Sequence, residues 1–244
     1  MMKYLSLLLF LSLSLLAETL EVPTVNLSLT SPDSPAALVN SINVIIMLTI
    51  LFLAPSLLLM TTTFTRFVIV FGFLRQAMGT QQIPPTQLLV SLALLLTIFV
   101  MEPVGQKAYD QGIKPYIEEK INYEVAFEKT TEPFKTFMIR NTREKDLALF
   151  FRIRNMQNPQ TIKDVPLSVV IPAFMISELK TAFEIGFLLF LPFLVIDMVV
   201  ASILMSMGMM MLPPVMISLP FKILVFVLVD GWNLLIGNMI ASIK

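Results

Sequence analysis

The stretch from Ser177 to Trp232 reads SELKTAFEIGFLLFLPFLVIDMVVASILMSMGMMMLPPVMISLPFKILVFVLVDGW. Two apolar runs of helix length are joined by a methionine triplet, Met209, Met210 and Met211, and by the pair Pro213 and Pro214. The runs are long enough to span a membrane, yet they carry Glu178, Lys180, Glu184, Asp197, Lys222 and Asp230. On insertion scales each such charge costs about 2.5 to 3.5 kcal/mol at the bilayer centre. These side chains are therefore expected to face protein or water, and the hairpin to line something built from several copies.

Bulk properties agree with a membrane protein. The chain has 244 residues, 56% hydrophobic and only 14% charged, with a mean hydropathy of +0.82, well outside the soluble range. Net charge is zero, but 20 of the 34 charged residues fall between Lys107 and Asp164, which marks that segment as the soluble part. Cysteine and histidine are absent. Disulfides, thiolate chemistry, the usual zinc sites and imidazole proton transfer are thereby excluded, and any catalysis would rest on carboxylates.

Outward from the hairpin, the chain divides into five parts. Residues 1–17 carry Lys3, an uncharged leucine-rich run and Ala17, and read as a cleavable signal peptide. Residues 18–37, with Pro23, Pro32 and Pro35, read as a flexible leader. Residues 38–106 form an N-terminal apolar helical hairpin in which Pro55 is expected to kink the first arm. Arg66 and Arg75, nine residues apart at 100° each, fall on opposite helix faces. GTQQIPP, residues 79–85, is a turn, and the dense apolar core after it, Leu88 to Met101, predicts a short buried or re-entrant helix ending before Glu102 and Pro103. Residues 107–165 are a small charged helical domain, placed outside the cytoplasm, with an amphipathic helix from Arg140 to Arg154. Its charge runs carry no metal-ligand or phosphate-cradle spacing. Residues 166–244 hold the organising hairpin.

Within that hairpin, Lys180 and Glu184 are four apart and able to pair on one face, whereas Glu178 lies about 200° from Lys180 and is free to seek a neighbour. Pro192 is expected to interrupt the helix, and Ser202, Ser206 and Gly208 would admit a second helix closely. Lys222 has no charge between itself and Asp197, so it needs a carboxylate, with Asp197, Glu184 and Glu178 as candidates in its own or an adjacent copy. The methionine triplet has two readings. One is apolar filler; the other is a compliant constriction of unbranched thioethers around a ring, held on a non-helical tip by Gly208, Pro213 and Pro214.

Three blocks, FTRFVIVFGFLRQAMGTQQIPP from Phe64, SELKTAFEIGFLLFLPFLVIDMVVASILMSMGMMMLPP from Ser177 and LPFKILVFVLVDGW from Leu219, closely resemble the FliP family of flagellar type III secretion export-gate proteins, whose injectisome relatives share the pattern. The resemblance implies an all-α subunit without an active site or cofactor. About five copies would assemble with FliQ and FliR and contact FlhB, forming a helical cone in the bacterial inner membrane of the flagellar basal body, largely above the membrane plane. It puts a methionine gasket on Met209, Met210 and Met211, and gives Arg66, Arg75, Glu178, Lys180, Glu184, Asp197, Lys222 and Asp230 the task of holding subunits together. Unfolded flagellar proteins would pass through this pore. The alternative from another class is a proton-coupled carrier or intramembrane aspartyl enzyme using Asp197 and Asp230 as paired carboxylates.

Overall fold

Helix α2, Phe64–Ala77, buries Phe67, Val70, Phe71, Leu74 and Ala77 and leaves the rest of its circumference less covered. Positions 67, 70, 71, 74 and 77 repeat every three or four residues, so a single stripe of the helix turns inward and one of the two cores is built on it. A computed structural model of the chain describes residues 35–80, 82–156, 164–209 and 211–244. The expected signal peptide, the leader up to residue 34 and the side chain of Met210 lie outside the described residues.

The chain divides into two units, residues 1–51 and 52–244. The described part of the first is the leading portion of α1, Pro35–Met60. The helix continues through Pro55.

In the second unit, α2 is followed by α3, Thr86–Ala108, a π-helical turn at Tyr109–Ile113 and α4, Lys114–Ile117. The short helix expected over Leu88–Met101 is thus corrected: α3 carries on past Glu102 and Pro103, and with the π turn and α4 makes one continuous rod of 32 residues. Composition marks where apolar character stops, but a helix stops only where its hydrogen-bond ladder does, and Pro103 removes one rung out of many. Asn122 caps α5, Tyr123–Asn141, by accepting from the Val125 N–H at 3.0 Å. The amphipathic segment around 140–154 is broken at Thr142 and Arg143, and α6 runs from Glu144 to Ile153.

Helix α7, Leu167–Ser206, has 40 residues and passes through both Pro172 and Pro192. The interruption expected at Pro192 does not occur. At 1.5 Å per residue α7 is about 60 Å long, roughly twice the hydrocarbon thickness of a bilayer, so a membrane holds only part of it. α8, Pro214–Leu228, and α9, Gly231–Ala241, meet at a 64° bend. The second arm of the hairpin is therefore broken near Asp230, a residue with φ of +52°. Among the described residues, two helical stretches, Thr86–Ile117 and Leu167–Ser206, are long and apolar enough to cross a membrane, and the bent α8–α9 pair is a third if counted as one span.

Two cores follow. The first joins α2 to α3, α7, α8 and α9 through Phe67, Phe71, Leu74, Ala93, Phe193, Phe226 and Met239. The second joins α3, α5 and α6 to the start of α7 through Met138, Phe151, Val170 and Phe174. Helix α7 thus contributes to both. Its buried positions 170, 173, 174, 177, 178 and 182 follow the same stripe as α2, and past Gly186 most of its side chains are exposed.

Candidate functional site

Glu178 sits on the buried stripe of α7 with no solvent exposure, and Arg66, on α2, is 2% exposed. The guanidinium meets the carboxylate as a fork: Nε donates to Oε2 at 2.7 Å and Nη2 donates to Oε1. Nη1 donates to Ser242 Oγ at 2.7 Å, just beyond α9. One side chain thereby ties α2 to two segments, 112 and 176 positions further along the chain. A buried pair is only viable when its spare donors are satisfied, and the Ser242 bond supplies that.

Lys222, on α8, is 2% exposed. Its ammonium donates to Asp197 Oδ2 at 2.7 Å and to the Ala77 carbonyl at 3.1 Å, the last residue of α2. A helix C-terminus presents unpaired carbonyls and negative potential, so it is a natural partner for a cation. Asp197 Oδ1 accepts from Ser218 Oγ at 2.5 Å, one turn before Lys222 on α8. The carboxylate that Lys222 requires thus comes from its own chain, and the two arms of the hairpin are locked to each other and to α2.

Glu184 does not pair with Lys180. It accepts from Arg143 Nη2 at 2.6 Å, reaching back to the start of α6. Lys180 instead lies beside Lys145. The spacing on one helix allowed the pair, but tertiary packing offered Glu184 a bidentate-capable donor from another element. Ser177 Oγ accepts from the Arg143 backbone N–H at 3.0 Å and donates to Asp146 Oδ2 at 2.7 Å, so a hydroxyl from α7 is inserted into the N-terminal cap of α6. Arg75 Nη1 donates to Thr86 Oγ1 at 2.7 Å and spans the turn between α2 and α3.

Arg143, Asp146, Ser177, Ser218 and Ser242 were not singled out in the sequence. Ser218 did carry a signal: four positions before Lys222, it occupies the same face of its helix as that charge. Asp230 is exposed at the bend, and no hydrogen bond among the described residues joins it to Asp197. Asp197 is instead engaged by Lys222 and Ser218.

Between the arms, α7 stops at Ser206 and α8 starts at Pro214. Gly208 takes φ of +74°, a conformation open to glycine, and its N–H closes on the Met205 carbonyl at 3.1 Å while Met209 N–H closes on Leu204 O at 2.9 Å. This is a glycine-terminated helix end, and Pro214 then opens α8 in the first-turn position that proline favours. The tip is non-helical. Met211 is 98% exposed and Met209 42%, so among the described residues Met211 is uncovered and Met209 only partly covered.

The FliP family model matches residues 47–239. The chain is 51% identical over 212 residues to the flagellar biosynthetic protein FliP of Bacillus subtilis (strain 168), covering 87% of this chain and 96% of that one. It is 57% identical over 198 residues to the protein of the same name from Caulobacter vibrioides, covering 81% and 74%. With that of Aquifex aeolicus it shares 50% over 207 residues, covering 84% and 87%. The match takes in both arms of the α7–α8 hairpin, its tip and every residue of the Arg66–Glu178 and Lys222–Asp197 pairs, and on it the chain belongs to the FliP family.

Proposed function

We propose that this chain is a subunit of the flagellar type III protein export gate and that its hairpin tips form the constriction of the secretion pore. The observation that carries this reading is the tip itself. Met209 and Met211 project from a non-helical turn held by Gly208, Pro213 and Pro214, on arms made rigid by a buried ion pair. Several such tips around an axis give a ring of long, unbranched, polarisable side chains that exclude water yet deform around a passing chain. The apolar faces of α7 and α8 left exposed in one copy are the surfaces that neighbouring copies, FliQ and FliR would cover, with FlhB docking on the assembled ring. The complex belongs to the inner membrane, much of it on the periplasmic side, in the flagellar basal body.

The chain supplies no chemistry in this reading; it supplies a seal. Replacing Met209, Met210 and Met211 together by alanine is the test. Assembly with FliQ and FliR, read by native mass spectrometry of the extracted complex, stays intact, while ion leakage through assembled gates in cells rises. Unchanged leakage with assembled gates removes the gasket. A discrete oligomer of about five copies incorporating both partners is expected, and a monomer under all conditions removes the gate.

A further inference from the structure

We propose that the groove between α3, α5 and the residues at and beyond the end of α9 holds one anionic glycerophospholipid, with its phosphate between Lys107 and Arg140 and an acyl chain along Phe99 and Val100. The groove has a volume of about 610 Å³, within the usual range of ligand sites. Its α3 wall is Phe99, Pro103, Lys107 and, in the π turn, Gln111. These positions are four apart, so they form one line along the rod, about 18 Å from end to end at 1.5 Å per residue. Along that line the chemistry changes once, from apolar to basic and polar, which is the order a lipid presents from acyl chain to headgroup. The apolar end lies on a helix apolar and long enough to cross a membrane.

The opposite wall is fixed. Asn141, at the end of α5, donates through Nδ2 to the Lys244 carbonyl at 3.2 Å and accepts the Lys244 N–H at 3.0 Å. This holds Ile243 and Lys244 against the groove and adds a third cationic residue to its lining. Among the described residues, neither Lys107 nor Arg140 has an ion pair or a side-chain hydrogen bond, while the one acid in the lining, Glu132, is already engaged in an interaction of its own. Unpaired cations above an apolar wall complement a phosphate attached to a hydrocarbon chain. They complement an acidic peptide less well, because its backbone would lose water along Phe99 and Val100 without finding donors or acceptors there.

The site is independent of the gate reading, since a chain with no part in export would retain the lipid equally. The test uses the full chain in detergent, titrated with phosphatidylglycerol or with phosphatidylcholine of the same chain length and read by native mass spectrometry. Phosphatidylglycerol is retained in preference. Lys107→Gln with Arg140→Gln lowers its retention roughly thirtyfold, as two interfacial charges imply. Lys114→Gln with Lys129→Gln, the same charge change outside the groove, leaves it unchanged. Val100→Trp, which fills the apolar end without altering charge, lowers it as well and serves if the double variant fails to fold. Equal retention by the Lys107/Arg140 variant and the native chain overturns the proposal, as does an equal loss in the Lys114/Lys129 control. Displacement by glycerol phosphate at the same concentration as the lipid marks a free-phosphate site and also overturns it, as does a protein segment cross-linked at Lys107 in gates that hold no lipid there.

Discussion

Arg66 grips Glu178 through two hydrogen bonds, one of them Nε to Oε2 at 2.7 Å, with both side chains out of solvent. The arrangement is destabilised far more by removing one member than by removing both. Glu178→Gln leaves a buried guanidinium without a counter-charge and is expected to cost about 3 to 5 kcal/mol. Arg66→Lys does not restore the loss, because one ammonium cannot reproduce the fork and also reach Ser242. Arg66→Met with Glu178→Met recovers much of the stability. Unfolding of the detergent-solubilised chain, followed for Arg66→Met, Glu178→Met and the double, measures the coupling; additive losses would mean that the pair is not a unit.

The Lys222–Asp197 pair behaves differently on inversion. A charge swap is a common rescue for a surface pair, but here the ammonium also donates to the Ala77 carbonyl at the end of α2. A carboxylate at position 222 would face that carbonyl at the negative end of the helix, a repulsive contact at a position almost closed to water. Asp197→Lys with Lys222→Asp is therefore expected to fold no better than either single variant, by thermal unfolding. A swap that restores native stability would show that the Ala77 contact contributes nothing.

Gly186 on α7 faces Phe73 on α2. A methyl at Gly186 would lie 2.4 Å from Phe73 Cδ2 and 2.6 Å from Cγ, closer than carbon atoms tolerate. The glycine is what lets these helices approach at this level. Gly186→Val is expected to destabilise the chain by about 1 to 3 kcal/mol, and Phe73→Ala in the same chain to return part of that by making room. Equal stability of Gly186→Val and the native protein, measured by denaturant unfolding, would place the helices further apart than described.

Much of this was legible because charge in an apolar run is expensive. Lys222 and Glu178 announced that partners existed, and the distance of Asp197 from Lys222 in sequence made it a candidate. What the sequence left open was which candidate, since Glu178 and Glu184 met the same electrostatic need; only packing assigns Glu178 to Arg66, Glu184 to Arg143 and Asp197 to Lys222. Proline misled twice on α3 and α7. Pro103 and Pro192 each remove one backbone donor, a local cost that a rod of 32 or 40 residues absorbs. The bend at Asp230 was missed for the converse reason: Leu219 to Trp232 reads as one apolar run apart from Lys222 and Asp230, and that run outweighed the turn signal of an aspartate, which tolerates the left-handed backbone, followed by glycine.

Gly208 separates backbone geometry from packing at the tip. Its φ is +74°, yet among the described residues a methyl built there meets no atom within 4 Å. The effect of an added methyl thus arises from the backbone. Asparagine tolerates the left-handed region, so Gly208→Asn is expected to be nearly neutral, whereas alanine costs about 1 kcal/mol and valine, branched at Cβ, more. The same order is expected for ion leakage through assembled gates, because the turn that aims Met209 and Met211 is set by this residue. A series in which asparagine leaks as much as valine, at equal abundance of assembled complex, would detach the position of the methionines from the glycine turn and leave the seal to be set by neighbouring copies.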